Sequence, residues 1–236
     1  INGHEPGDDP TDYPELAAMS SATIEGVVTK ADGTVDTGYN GVVNLQLYDG
    51  ERVITTLGNG SQGEVTSYND RDKRLSATNA AVKEGRWKAV LRIPPEIQGN
   101  YTTALISCYA WSDDGREANG STDRLYVYGF NDSSDDNDGP EIEAFYVNNP
   151  SLGQGALVSK NMTVFARLRD KSGINVSQSG IGHSLTLCLD GNEYIDGISQ
   201  YFTHDLEDPD LGSLAFPLTD VKPGRHTLTL TAWDNV

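Results

Sequence analysis

The chain has 236 residues, 36% of them hydrophobic, with 25 glycines and 10 prolines. That length admits one or two domains, each large enough for its own core, and the turn-former content suits β structure better than helices. Acids outnumber bases 35 to 17, and the net charge of −18 repels nucleic acid and anionic membrane surfaces while favouring solubility outside the cell.

Residues 1–18 are polar and contain Gly7-Asp8-Asp9-Pro10 and Tyr13-Pro14; they read as a connector arriving from an upstream element. Glu15 to Met19 is the best helical candidate in the chain, and it is short. A first β-sandwich is expected over 19–130. Thr23 to Val28 ends near an Asp32-Gly33 turn. Val43, Leu45 and Leu47 alternate with Asn44 and Gln46 as a half-buried strand. Asp49-Gly50 reads as a hairpin turn into Val53-Ile54-Thr55-Thr56, and Leu57 to Arg74 as a long loop. After the Glu84-Gly85 turn, Trp87, Ala89, Leu91 and Ile93 face inward and Lys88 and Arg92 outward. Pro94-Pro95 then ends the strand, because proline cannot donate to a ladder. Thr103 to Trp111 is apolar on both faces, as a central strand would be, and Arg124 to Tyr128 closes the unit.

Residues 131–139 form an acidic linker that can bury nothing. A second sandwich over 140–236 repeats the grammar. Its inward sets are Met162, Val164, Ala166 and Leu168; Leu185, Leu187 and Leu189; Leu214, Phe216 and Leu218; and Leu228, Leu230 and Ala232. Thr227, Thr229 and Thr231 face the other way, as β-branched residues do on a solvated sheet face. The resulting fold class is all-β: two tandem immunoglobulin-like or fibronectin-like antiparallel β-sandwiches. The second apparently lacks its last strand, so the final strand should leave an open ladder that strand addition can fill.

Chemical motifs are sparse. No apolar run approaches the ~20 residues of a membrane span, and Ile1-Asn2-Gly3-His4 is no signal-peptide start. Cys108 and Cys188 lie in different halves with no C-x-x-C partner, so both read as free thiols, Cys108 as a small hydrophobe in its strand. A Cys188–His183 hydrolase would put the pair on opposite faces of one strand, and no G-x-S-x-G elbow supports a serine version. His4, His183, His204 and His226 are scattered, without metal-ligand spacing. No catalytic residue is assigned. Calcium is the open cofactor question: Asp135, Asp136 and Asp138 lie at the junction, and Asp170 and Asp234 end two strands. The EF-hand pattern fails, with Ser134 in the first position and Phe145 where a bidentate glutamate belongs. The rival reading is a merely solvated linker. Trp87, Trp111, Trp233 and 11 tyrosines could build a sugar-stacking platform, but Trp87 alternates with a core set, Trp233 reads as partly exposed, and no aromatic cluster marks a binding face. The six N-x-Ser/Thr sequons need only chance.

Several stretches carry a family resemblance. They are Tyr39-Asn40-Gly41-Val42-Val43 with Tyr48-Asp49; Gly85-Arg86-Trp87 through Pro94-Pro95-Glu96-Ile97; Asp138-Gly139-Pro140; Ser172-Gly173-Ile174-Asn175; Gly180-Ile181-Gly182-His183; and Ala232-Trp233-Asp234. In this order the chain resembles the region downstream of the peptidase domain in PorU-like enzymes, the gingipain-family cysteine peptidases that act as sortases of the Bacteroidetes type IX secretion system. Ser184 departs from the acidic residue that follows Gly-Ile-Gly-His in that family. The resemblance implies a non-catalytic β-sandwich accessory region, with the catalytic cysteine and histidine upstream. It would serve as a scaffold or docking module on the extracellular or outer-membrane surface, or in the periplasm. Implied partners are the upstream peptidase domain and outer-membrane secretion proteins or exported substrates. The alternative is a cell-surface glycan-binding or adhesion module.

Overall fold

The elements that form are those whose side chains alternate between a wet face and a dry one. The computed structural model describes residues 1–60, 63–133, 135–177 and 182–236, and within them the chain is strands and loops with two short 3₁₀ turns, Pro10–Asp12 and Ile198–Tyr201. Among the described residues no helix is long and apolar enough to cross a membrane.

The first unit contains β1 (Glu15–Ala18), β2 (Ser20–Val27), β3 (Gly41–Tyr48), β4 (Arg52–Thr55), β5 (Ser67–Asp70), β6 (Arg74–Lys83), β7 (Arg86–Ile93), β8 (Leu105–Ser112), β9 (Glu117–Thr122) and β10 (Tyr126–Phe130). Six of them make one sheet in the order β2-β7-β6-β3-β8-β9. Its inner face is a lattice of matched pairs: Leu45 opposite Thr78 and Cys108, and Val43 opposite Ala80 and Ala110. The parallel pair β1-β10 lies over that face and contributes Leu16, Ala18 and Val127 to the buried set. Each large side chain sealed this way contributes about 1.5–3 kcal/mol. The Glu84-Gly85 turn joining β6 to β7 has φ of 51° and 72°, the left-handed pair a two-residue hairpin demands.

Three expectations change here. In place of a helix, Glu15–Ala18 is a strand and Met19 a turn residue, because pairing with β10 buries Leu16 and Ala18, which a lone helical turn could not do. Residues 15–18 therefore belong to the first core rather than to a free connector. Asp49-Gly50 is no hairpin turn: β3 pairs with β6 and β8, while β4 pairs with β5 inside the expected loop. Asp49 is instead 1% exposed, its carboxylate accepting the Gly50 and Gln98 amides, with Lys73 at 3.6 Å. Most of Thr103 to Trp111 does fall in the interior strand β8 (Leu105–Ser112), but only one of its faces is buried; Tyr109 and Trp111 stand in solvent.

The second unit contains β11 (Glu141–Val147), β12 (Met162–Arg169), β13 (Thr186–Leu189), β14 (Glu193–Ile195), β15 (Phe202–His204), β16 (Leu211–Leu218) and β17 (Leu228–Thr231). Its sheets run β11-β12-β16-β15 and β14-β13-β17, every pairing antiparallel. In chain order that is the A-B-E-D sheet of an immunoglobulin-like sandwich facing its C′-C-F strands. Val164, Leu168, Leu187 and Leu214 are wholly buried between the layers.

Candidate functional site

β7 carries Leu91 inward, so Arg92 must point outward, away from the first core. There it meets the second unit. Its guanidinium pairs with Asp210, and its Cγ lies where a Cβ on Gly173 would come within 2.9 Å. Gly173 has φ +75°, so two constraints, backbone conformation and close approach, exclude a side chain at that residue. Beyond Ile93 the Pro94-Pro95 pair turns the chain off the sheet and delivers Glu96 to the same surface. Glu96 accepts Asn175 Nδ2 at 3.1 Å and pairs with His183 Nδ1 at 2.8 Å. The His183 ring packs on Trp233 with centroids 4.7 Å apart. Asn235 Nδ2 donates to the carbonyls of Ser172 and Gly173, and the Asn175 amide donates to the Trp233 carbonyl.

Short segments far apart in sequence thus converge on one joint: Arg92–Glu96, Ser172–Asn175, His183 and Trp233–Asn235. Gly180 and Ile181, which precede His183 in its motif, lie outside the described residues. His204, at the end of β15, is 9% exposed, and burial with the nearby Arg92 charge pushes its imidazole down to about 4. The joint is therefore a polar weld closed over one neutral histidine. It has no thiol. Cys188 is 8% exposed and does not share the joint with His183, whose bonded partner is Glu96. Cys108 is half-buried, and burial lifts its thiol to about 11, too high to supply a nucleophilic thiolate at neutral pH.

The acids considered for calcium are placed as follows. Asp135 pairs with Lys171 at 3.0 Å, and Asp136 accepts the Ser172 hydroxyl at 2.5 Å; each contact holds its carboxyl below the ordinary range. Asp138 donates its amide to Asp136 Oδ1 at 3.4 Å. Asp170 accepts the Ser172 amide, and burial, with Asp234 and Asp136 nearby, pushes it up to about 6. Burial raises Asp234 as well. Among the described residues no group of three or more histidine, cysteine, aspartate or glutamate side chains has the geometry to hold a metal ion.

Sequence reasoning missed an aromatic cluster. On the outer face of the β1-β10 pair, Tyr101 stacks on Tyr126 at 4.3 Å, meets Tyr128 edge-on at 5.2 Å, and bonds through its hydroxyl to Glu15; Tyr13 completes the group 5.9 Å from Tyr126. The signal was Tyr126-Val127-Tyr128, an aromatic alternation with only Val127 turned inward. A depression of about 1290 Å³ follows the N-terminal segment, but it is bounded by residues from both faces of the big sheet, Val43 and Ile24 on one and Lys83 and Lys88 on the other, and is no single chamber.

No family model and no curated protein matches the chain. Among solved structures, dimeric latent PorU from Porphyromonas gingivalis is similar at 27% identity and a TM-score of 0.54, over 97% of this chain and 22% of that one. A chicken T-cell receptor structure, at 10% identity and a TM-score of 0.23, carries no argument. The chain spans about a fifth of the length of the PorU chain it matches.

Proposed function

We propose that this chain is the non-catalytic accessory region of a PorU-like, gingipain-family surface peptidase, holding a peptidase domain at fixed geometry against its secretion partners or exported substrates. The observation that carries the reading is the likeness to PorU across 97% of the chain. The welded joint supports it: a scaffold must resist bending, and the contacts of Arg92 with Asp210 and of Glu96 with Asn175 and His183 tie one unit to the other. Catalysis belongs to a domain upstream, and the location is the extracellular face of the outer membrane. The test is twofold. The reading frame before Ile1 should encode a gingipain-type peptidase, and the isolated 236 residues should leave a peptide bearing a C-terminal sorting signal uncut. A frame without a peptidase, or cleavage by this chain alone, overturns the proposal.

The tyrosine cluster favours a second reading, a glycan-binding module. Ring faces at Tyr101 (55% exposed) and Tyr128 (43%) offer stacking surface beside the Glu15 carboxylate. Calorimetry against neutral polysaccharides, with Tyr101→Ala as control, separates the two: heat that vanishes in the variant supports glycan binding, and none across a broad panel removes it.

A further inference from the structure

The outer face of the six-stranded sheet changes character across its width. Over β2 and β7 it is charged: Lys88 pairs with Glu25 at 3.0 Å, and Arg92 pairs with Asp210 of the second unit. From β6 to β9 it is neutral. One row across those strands reads Asn79, Asn44, Tyr109, Asn119. The row on one side reads Ala77, Gln46, Ser107, Ser121, and the row on the other Ala81, Val42, Trp111, Glu117. Glu117, on the edge strand, is the lone charge among these positions, and its carboxylate takes the Tyr109 hydroxyl. Such neutrality stands out in a chain that is 22% charged. A face that needed only solvation could carry pairs like Lys88 and Glu25 throughout.

The polar side chains of this face are held in place by one another. The Tyr48 hydroxyl donates to Gln46 Oε1 at 2.6 Å, Gln46 Nε2 donates to Asn44 Oδ1 at 3.1 Å, and Asn44 Nδ2 donates to Asn79 Oδ1 at 2.8 Å. Each amide brings two N–H donors and two carbonyl lone pairs, more than this chain of bonds consumes. The bonds therefore fix the amides and leave capacity over. Beside them stand Tyr109 and Trp111, 42% and 41% exposed, with ring centroids 6.1 Å apart and planes inclined by 32°. On the β6 side the second unit forms a wall, its β15 packed against β6.

We infer that this face binds a neutral polysaccharide chain. Sugar hydroxyls donate and accept at once, as the amides do, and the C–H face of a sugar ring stacks on an aromatic ring. Amides already held in one orientation lose little rotamer freedom on binding. An anionic glycan is disfavoured, because these rows hold no cation and the chain carries a net charge of −18. The site shares no residue with the tyrosine cluster around Tyr101, and it does not depend on a peptidase upstream.

The test titrates the 236-residue chain with soluble oligosaccharides of glucan, mannan, galactan and xylan, and with polygalacturonate as the anionic counterpart. Calorimetry measures affinity, and NMR follows the side-chain amide signals and the tryptophan indoles. At least one neutral oligosaccharide should bind and shift the signals of Asn44, Gln46, Asn79 and Trp111, while polygalacturonate binds at least tenfold more weakly. Trp111→Ala and Tyr109→Ala should each weaken binding about tenfold, as loss of an aromatic anchor does. Gln46→Leu, which interrupts the amide chain, should weaken it severalfold, and Tyr101→Ala should leave it unchanged. The NMR mapping uses the unaltered chain, so it decides the site even if a variant misfolds. No binding across the neutral panel, or shifts that avoid this face, overturns the site. Binding lost in Tyr101→Ala but kept in Trp111→Ala assigns the sugar to the tyrosine cluster and also overturns it. Equal affinity for polygalacturonate overturns the neutral class.

Discussion

β12 and β11 are neighbours in one sheet, and their fates differ. Both alternate, and both present apolar side chains to the same side. β12 is covered by the facing sheet, while β11, at the edge of its sheet, keeps Ile142 and Phe145 in water. The first unit shows the complementary case: six strands are covered by a layer of only two, helped by Tyr39, which is 2% exposed, and by small inward residues such as Ala80, Ala89 and Ala110 that let the thin layer sit close. Alternation therefore declares which side chains seek burial, and the opposing layer decides whether they obtain it.

Leu45→Ala and Leu168→Ala, each at a wholly buried residue in a different core, should cost about 2–5 kcal/mol apiece. Calorimetry should show each lowering one transition more than the other; a single transition moved equally by both would mean the weld makes the units one cooperative body. Arg92→Met leaves Asp210 without its partner at the joint, and a loss of about 1–3 kcal/mol follows. Its signature is separation of the two melting transitions, and unchanged overlap would deny the joint any mechanical role. Gly173→Ala combines an unfavourable φ with a push against Arg92, for about 1–3 kcal/mol; a neutral result would mean the two units can shift apart without cost.

Acid titration sharpens the comparison at the joint. His204 titrates near 4 folded and near ~6.5 unfolded. The unfolded chain therefore takes the proton first, and stability present above pH ~6.5 is lost as the pH falls toward 4. Asp170 has the opposite sign: at about 6 folded against ~3.9 unfolded, it gains stability as the pH falls through 6. In urea melts from pH 7 to 4, Asp170→Asn should raise stability at pH 7 and steepen the acid loss, while His204→Gln should lessen it. Matching profiles for the two variants would contradict the buried environments described. The smallest effect belongs to Ile142→Thr, within ~0.5 kcal/mol because the side chain is already wet. Val164→Thr should cost several times more in the same melt, and equal costs would erase the contrast between β11 and β12.

Much of the strand plan was readable. Val43-Leu45-Leu47, Trp87 to Ile93 and Met162 to Leu168 form strands with the inward faces their alternation implies. β6 and β9 were not legible, since Ser76 and Thr78 hide an inward face behind hydroxyls and Glu117–Thr122 is a polar edge strand. The joint was legible only as scattered motifs. Glu96 and Asn175 lie 79 residues apart, and Arg92 and Asp210 lie 118 apart, separations at which local pattern carries no information.

The order of side chains along this chain determined that it would be β, where its proline and glycine breaks fall, and which face of each strand is apolar, because these follow from backbone sterics and a two-residue period. Only the tertiary structure decided that Asp49 is a buried cap rather than a turn, that Arg92 and Glu96 weld the first unit to Asp210, Asn175 and His183 of the second, and that β11 keeps apolar side chains in water. Those outcomes depend on which surfaces meet in space, and long-range packing is chosen by the whole set of covered and uncovered faces at once.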